Sequence, residues 1–315
     1  MDSKKIWKIE AQDRLFSFFN ALQKRANLVP ITHIDSYVDS GKPATFLKHD
    51  VHGMSLSSLL KFAQKEREEG IQGSFFFMFP DHPLTAKHYS FSDQIEVMKS
   101  LVQLGHEVGI HIDPFFLVHK FQKPLSYTLQ SFLAKLREHG ITIHCGNTHG
   151  NSKFKGKDNN GYGTSFDFFE EIGRQPDYPV LRNVDSAIAE ILRCNRTSLS
   201  ELSISYWADM PLWSKKKQFV ATNFISDNNL KKNSSFDITM HAETLRGYRV
   251  TSCQPPGSRN LAHQGKTIPV SPSYAVSDIK VGSYALKFHS HDLNNLFSNV
   301  GGLPNLLLVH PEHYC

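Results

Sequence analysis

Between residues 43 and 150, short apolar runs alternate with segments of helical period, and glycines punctuate the boundaries. PATFLKH (43–49) has the look of a buried strand, entered after Gly41 and Pro43. Ser55 to Glu69 follows with a helical pattern, closed by Gly70. GSFFFMF (73–79) is apolar throughout, as expected of a strand covered on both faces of a parallel sheet. Phe91 to Leu104 is a second helix closed by Gly105, and HEVGIHI (106–112) a third strand. Leu125 to His139, closed by Gly140, precedes a fourth strand in ITIHCGN (141–147). Strand–helix alternation of this kind predicts βαβ units and a parallel sheet, open or closed into a barrel.

The flanks are less regular. EAQDRLFSFFNALQKRAN (10–27) sets Leu15, Phe18, Phe19 and Leu22 on one side of a helix. Past residue 150, KFKGKDNNGYG (153–163) is a polar, Gly-rich loop. PVLRN (179–183), LSISYWA (202–208) and QFVATNF (218–224) are short strand candidates. Residues 252–283, rich in Pro, Ser and Gly, are expected to be irregular, and LPNLLLVHP (303–311) is a last buried strand. The expectation is one domain over 1–315, with an N-terminal helical extension (1–40) and loop insertions at 150–178 and 225–300.

Composition narrows the function classes. The formal charge of +5 over 315 residues is modest, and no motif of a nucleic-acid reader appears, so no nucleic-acid partner is expected. No stretch approaches the roughly 18 apolar residues of a membrane span. MDSKKIWKIEAQDRLF has no apolar signal region, and Cys145, Cys194, Cys253 and Cys315 are scattered without a CxxC pair. Both point to reduced thiols and a cytoplasmic location. There is no GxSxG elbow, P-loop or GxGxxG. The outlier is histidine, at 17 residues.

In a parallel α/β sheet, functional residues gather at the carboxyl ends of the strands. Here those ends carry His49, Asp50 and His52; His111 and Asp113; Asn147, His149 and Asn151; and His310, Glu312 and His313. LSISYWADMPLW adds Asp209 between Trp207 and Trp213. Neutral imidazoles with a carboxylate bind a divalent metal, with zinc first among candidates. Hydrolysis at such a metal needs a base and an acid, and Asp50 and His310 are the residues offered for those tasks. Asp209 is placed to orient a histidine, and Asn151, Asp209 and Trp213 are the residues expected to contact substrate.

These residues bring a family into view. The chain resembles the NodB-homology polysaccharide deacetylases (carbohydrate esterase family 4 and its looser relatives), with the matching segments in family order. KHDVHG resembles the first motif, GSFFFMF the ATFF strand, and LGHEVGIHID the GHEIGNH motif. NTHGNS stands where looser relatives carry an FHxPS-like stretch. SYWADMPLW resembles their Y-x-SD-x-x-x-x-W segment, and NLLLVHPEHY their closing LLxHPxWW. The resemblance implies an irregular (β/α) barrel of about seven strands and metal-dependent removal of acyl groups from N-acylated sugars. Carried over by position, Asp50 is the base, His111 the first metal histidine and His310 the acid. His52 stands where relatives have a metal-binding Asp. Phe115 occupies the place of their second metal histidine, so His149 is the expected third ligand. Two alternatives accompany this reading: a non-catalytic glycan-binding or assembly protein on the same scaffold, and a hydrolase of another carbon–nitrogen bond.

Overall fold

A computed structural model of the chain describes residues 3–24, 26–41, 43–150, 167–173, 186–209, 212–220, 222–227, 236–241, 249–253, 258–263, 266–270, 284–290 and 303–315. The chain opens with α1 (Ser3–Gln23), β1 (Asn27–Val29), a 3-10 turn (Ile31–His33) and α2 (Ile34–Ser40). The alternating region follows as β2 (Ala44–Val51), α3 (Leu56–Glu68), β3 (Ser74–Met78), α4 (Phe91–Gln103), β4 (Glu107–Ile112), α5 (Pro114–Phe121), α6 (Leu125–Glu138) and β5 (Cys145–Thr148). Next come α7 (Ser186–Asn195), β6 (Tyr206–Ala208), β7 (Leu212–Ser214), β8 (Gln218–Val220), β9 (Asn223–Ser226) and β10 (Phe236–His241). β11 (Arg249–Cys253), β12 (Ser258–His263), β13 (Lys266–Val270), β14 (Tyr284–Ser290) and β15 (Asn305–Val309) complete the strands.

The fold is mixed α/β. Its main sheet has the order β14-β10-β9-β15-β2-β3-β4-β5-β6-β7-β8, with β1 alongside β2. From β9 to β6 every neighbouring pair in that order is parallel, and the outer pairs are antiparallel. The end strands β14 and β8 do not pair with each other among the described residues.

The helices begin and end where local chemistry dictates. The Ser55 hydroxyl accepts from Ser58 N at the start of α3, and Ser90 and Asp93 form a reciprocal capping box on α4. Gly70, Gly105 and Gly140 take positive φ angles of 71°, 88° and 80° just past α3, α4 and α6, the conformation that stops a helix.

The two faces of each strand have different neighbours, as a period of two requires. Leu47 and Val51 on β2, and Phe75 and Phe77 on β3, join the larger core together with Leu59 and Phe62 of α3. Full burial of an apolar side chain of this size contributes about 1.5–3 kcal/mol. Phe46, Phe76, Cys145 and Ala208 form a smaller core on the other face. Lys48 and Asp50 alternate with Leu47, His49 and Val51, so they share that second face with Phe46.

Several boundaries differ from expectation. The 1–40 segment is built into the fold: Ala11, Leu15, Phe19 and Leu22 are buried in the larger core, and β1 pairs with β2. The fourth strand starts only at Cys145, because Ile141 and Ile143 pack in the core without ladder bonds. QFVATNF splits into β8 and β9, which lie at different places in the sheet. Residues 225–300 hold more than loop. β10 and β14 extend the main sheet, and β11-β12-β13 form a separate antiparallel sheet within the segment expected to be irregular. PVLRN and the 153–163 loop lie outside the described residues. Among the described residues, no helix is long and apolar enough to cross a membrane.

Candidate functional site

The carboxyl ends of β2, β4, β5 and β15 lie side by side, because β15, β2, β3, β4 and β5 are consecutive parallel neighbours. His52, His111 and His149 converge there. Their ring centroids are 5.2, 5.4 and 5.1 Å apart, and one ring nitrogen of each lies within 4.8 Å of the others. His111 is on β4, while His52 and His149 each follow a strand end by one residue.

The tautomers of two rings are set from behind. His111 Nδ1 donates to Asn147 Oδ1 at 2.8 Å, a contact fixed by the direct pairing of residues 111 and 147 across β4 and β5. His52 Nδ1 donates to Glu312 Oε1 at 3.0 Å. Burial raises the Glu312 carboxyl, but the His52 hydrogen bond outweighs it and keeps the group ionised. In the neutral rings Nε2 then carries the lone pair, and both Nε2 atoms are buried with no hydrogen-bond partner. A metal ion is the usual partner of imidazole nitrogens held this way. The third ring, His149, has Asp113 Oδ2 3.8 Å from its Nδ1.

Asp50 stands beside this trio. Its Oδ2 is 3.7 Å from His111 Nε2, and its Oδ1 accepts from Asn147 Nδ2 at 2.6 Å. Burial pushes the Asp50 carboxyl up, but the charges of the Lys48 ammonium and the His310 imidazolium prevail and hold it well below the usual range. Lys48 is itself 2% exposed. Its Nζ donates to Ala208 O at 2.7 Å and to Asp209 Oδ1 at 3.1 Å, and lies 3.8 Å from Asp50 Oδ1.

On the other side of His52 lies His310, its ring stacked at 5.3 Å. The His310 Nδ1 donates to Asp227 Oδ1 at 2.5 Å, and its backbone N–H donates to Asp227 Oδ2 at 2.8 Å. Burial disfavours the imidazolium, but the Asp227 carboxylate outweighs that penalty and raises His310 to about 9. His310 is thus a charged donor at neutral pH.

Two further His and Asp groups are close enough to hold an ion: His82–Asp113–His149 and Asp227–His310–His313. In the first, Leu84 N–H donates to His82 Nδ1 at 3.2 Å, so the proton of a neutral His82 sits on Nε2, facing Asp113 Oδ2 at 3.5 Å. A ligand at Nε2 would need that proton moved to Nδ1, against the Leu84 N–H. His82 is thus a donor to Asp113, and Asp113 also caps α5 by accepting from Phe116 N.

Two of the remaining expected site residues, Asp209 and Trp213, offer no ligand or substrate contact to this cluster. Asp209 orients no histidine. Its carboxylate accepts from Lys48, Thr148 N, Thr148 Oγ1 and Trp207 Nε1, which ties β5 to β6. Trp213 is 1% exposed, so its ring has no face for a sugar to stack on. Asn151 lies outside the described residues.

Lys48, His82 and Asp227 were not singled out from the sequence. Lys48 could have been found by stepping two residues back from Asp50 along one strand face. Asp227 obeys the strand-end rule once β9 is separated from β8. His82 follows β3 by four residues and carries no local signal. No family model, no curated protein and no solved structure matches this chain.

Proposed function

We propose that this chain is a metal-dependent hydrolase that removes an acyl group from the nitrogen of a sugar or glycan precursor, on an irregular barrel of the NodB-homology type. The observation that carries the reading is the meeting of His52, His111 and His149 between an ionised Asp50 and a charged His310. The motif order from KHDVHG to LLLVHP supports the family, and the run of parallel strands from β9 to β6 agrees with its barrel.

In this mechanism the three imidazoles hold a divalent ion, zinc first among candidates. Such an ion supplies Lewis acidity toward a water molecule and an acyl carbonyl. Asp50 takes the proton of the attacking water, its charge maintained by Lys48 and its orientation by Asn147. His310 gives the Nε2 proton to the departing amine, and Asp227 holds the ring charged and in register. Exclusion of water by the buried walls strengthens each of these charge interactions.

The test is acetate release from a panel of N-acetylated sugars by zinc-loaded protein. Asp50→Asn and His310→Ala are each expected to lower the rate by about 10²–10⁴-fold, the usual contribution of a positioned acid or base. Full activity in either variant would remove that residue from the mechanism. Trp207 and Trp213 are buried, so neither ring offers a face to the alternative, purely glycan-binding role.

A further inference from the structure

Asp227, His310 and His313 form a second cluster at the edge of the three-imidazole pocket. Asp227 follows β9 and is anchored by its N–H to Leu308 O on the neighbouring β15, at 3.3 Å. His310 follows β15, and a single 3-10 turn over Pro311–His313 places His313 on the same side. The turn is closed by His313 N–H to His310 O at 2.9 Å. The two Nδ1 atoms face the two oxygens of one carboxylate: His310 at 2.5 Å from Oδ1 and His313 at 3.2 Å from Oδ2. All three residues are at least nine-tenths buried, and His313 Nδ1 has no hydrogen-bond partner of good geometry.

We propose that Asp227, His310 and His313 are a second, weaker divalent-cation site, whose occupation switches off the proposed hydrolase by taking His310 as a ligand. This inference rests on His310 being the proton donor. Two imidazoles and one carboxylate are a donor set that binds zinc in hydrolases. The affinity is lower than at the first site for a geometric reason. Donors around a tetrahedral zinc with bonds of about 2.0–2.1 Å stand roughly 3.3 Å apart. The His310–Asp227 pair is closed tighter than that by its shared proton, whereas His52 and His111 already present bare Nε2 atoms. An ion entering the second site must therefore open the pair and displace the His310 Nδ1 proton, releasing it to solvent. The ring then keeps only its Nε2–H and can donate it only by becoming an imidazolate. That makes it a much weaker acid than the imidazolium, and protonation of the departing amine fails.

The experiment titrates metal-stripped full-length protein with zinc. Bound metal is measured by equilibrium dialysis without substrate, and acetate release is measured in parallel. Two equivalents are expected, the second at least tenfold weaker, with a binding enthalpy that varies with the buffer's ionisation enthalpy because a proton is released. Acetate release should rise to the first equivalent and fall at least fivefold on the second. His313→Asn, whose amide can still donate to Asp227, and His313→Gln should bind one equivalent and lose the inhibition, each compared with its own rate at one equivalent. Saturation of the wild type at one equivalent overturns the proposal and leaves the hydrolase reading standing. So does a second equivalent and inhibition that survive in both His313 variants. Two equivalents with no acetate release at any zinc level overturn the switch together with the hydrolase reading.

Discussion

The amide of Asn147 faces two partners of opposite need. Its oxygen takes the Nδ1 proton of His111 and its nitrogen donates to Asp50, so one side chain sets both a ligand's tautomer and a carboxylate's direction. Replacing it by alanine leaves His111 free to adopt the wrong tautomer. Partners behind a ligating histidine are typically worth 10–100-fold in metal affinity. Asn147→Ala is accordingly expected to bind zinc about 10–100-fold more weakly, read by competition with a chromophoric chelator. An unchanged affinity would mean that Asn147 does not control the ring. At this scale the sequence was informative for residues at the ends of strands that could themselves be read. His52, His111, His149 and His310 all followed from that rule. It said nothing about which side chain stands behind which ring, because Glu312 and His52 are 260 positions apart.

At the scale of elements, the sheet around the pocket is tightened by small residues. On β5, a Cβ added to Gly146 would come within 2.7 Å of Cζ3 of the buried Trp207 on β6. A rigid ring in a filled core cannot move aside, and overpacking of this kind costs about 1–3 kcal/mol. Gly146→Ala is expected to lose about that much stability in urea unfolding; a smaller loss would show that β6 can slide. Much of the alternating half could be read because strands such as SFFFM are runs of large apolar residues and α3, α4 and α6 each stop at a glycine; α5, which ends on Gln122 at φ 51°, carries no such mark. β11 to β13 could not. SRNLAH and KTIPV contain too few such residues to stand out, and their ladders depend on antiparallel partners nearby rather than on a covered apolar face. Asp227 went unnoticed for a related reason: the single run QFVATNF hid a break between two strands that part company in the sheet.

The whole molecule carries ionisable groups between its layers as well as at its mouth. Glu66 of α3 is fully buried against the sheet, with His49 Nε2 at 3.1 Å and His106 Nδ1 at 4.0 Å. His106 accepts from Gly73 N–H and lies 3.0 Å from Ala63 O through Nε2. Burial pulls its pKa below 6.5; the pull of Glu66 in the other direction does not restore it, and His49 and Arg67 add repulsion. The folded pKa is thus depressed. Below about pH 6.5 the unfolded chain takes up a proton that the folded chain refuses. This part of the stability is whole above that pH and is lost as pH falls toward the folded value. The urea midpoint should drop between about pH 7.5 and 5.5, and drop less in His106→Gln. Equal slopes for the two proteins would place the acid sensitivity elsewhere.

The position of β15 bears on how the protein is made. Residues 305–309 lie between β9 and β2, directly pairing Asn305 with Thr45 across the middle of the sheet. A ribosome that has not yet translated them holds a nascent chain with two facing unpaired edges and no His310. Closing so distant a contact is slow, and open strand edges invite aggregation meanwhile. Biogenesis of this protein therefore depends on keeping the chain that precedes β15 soluble until that strand is inserted.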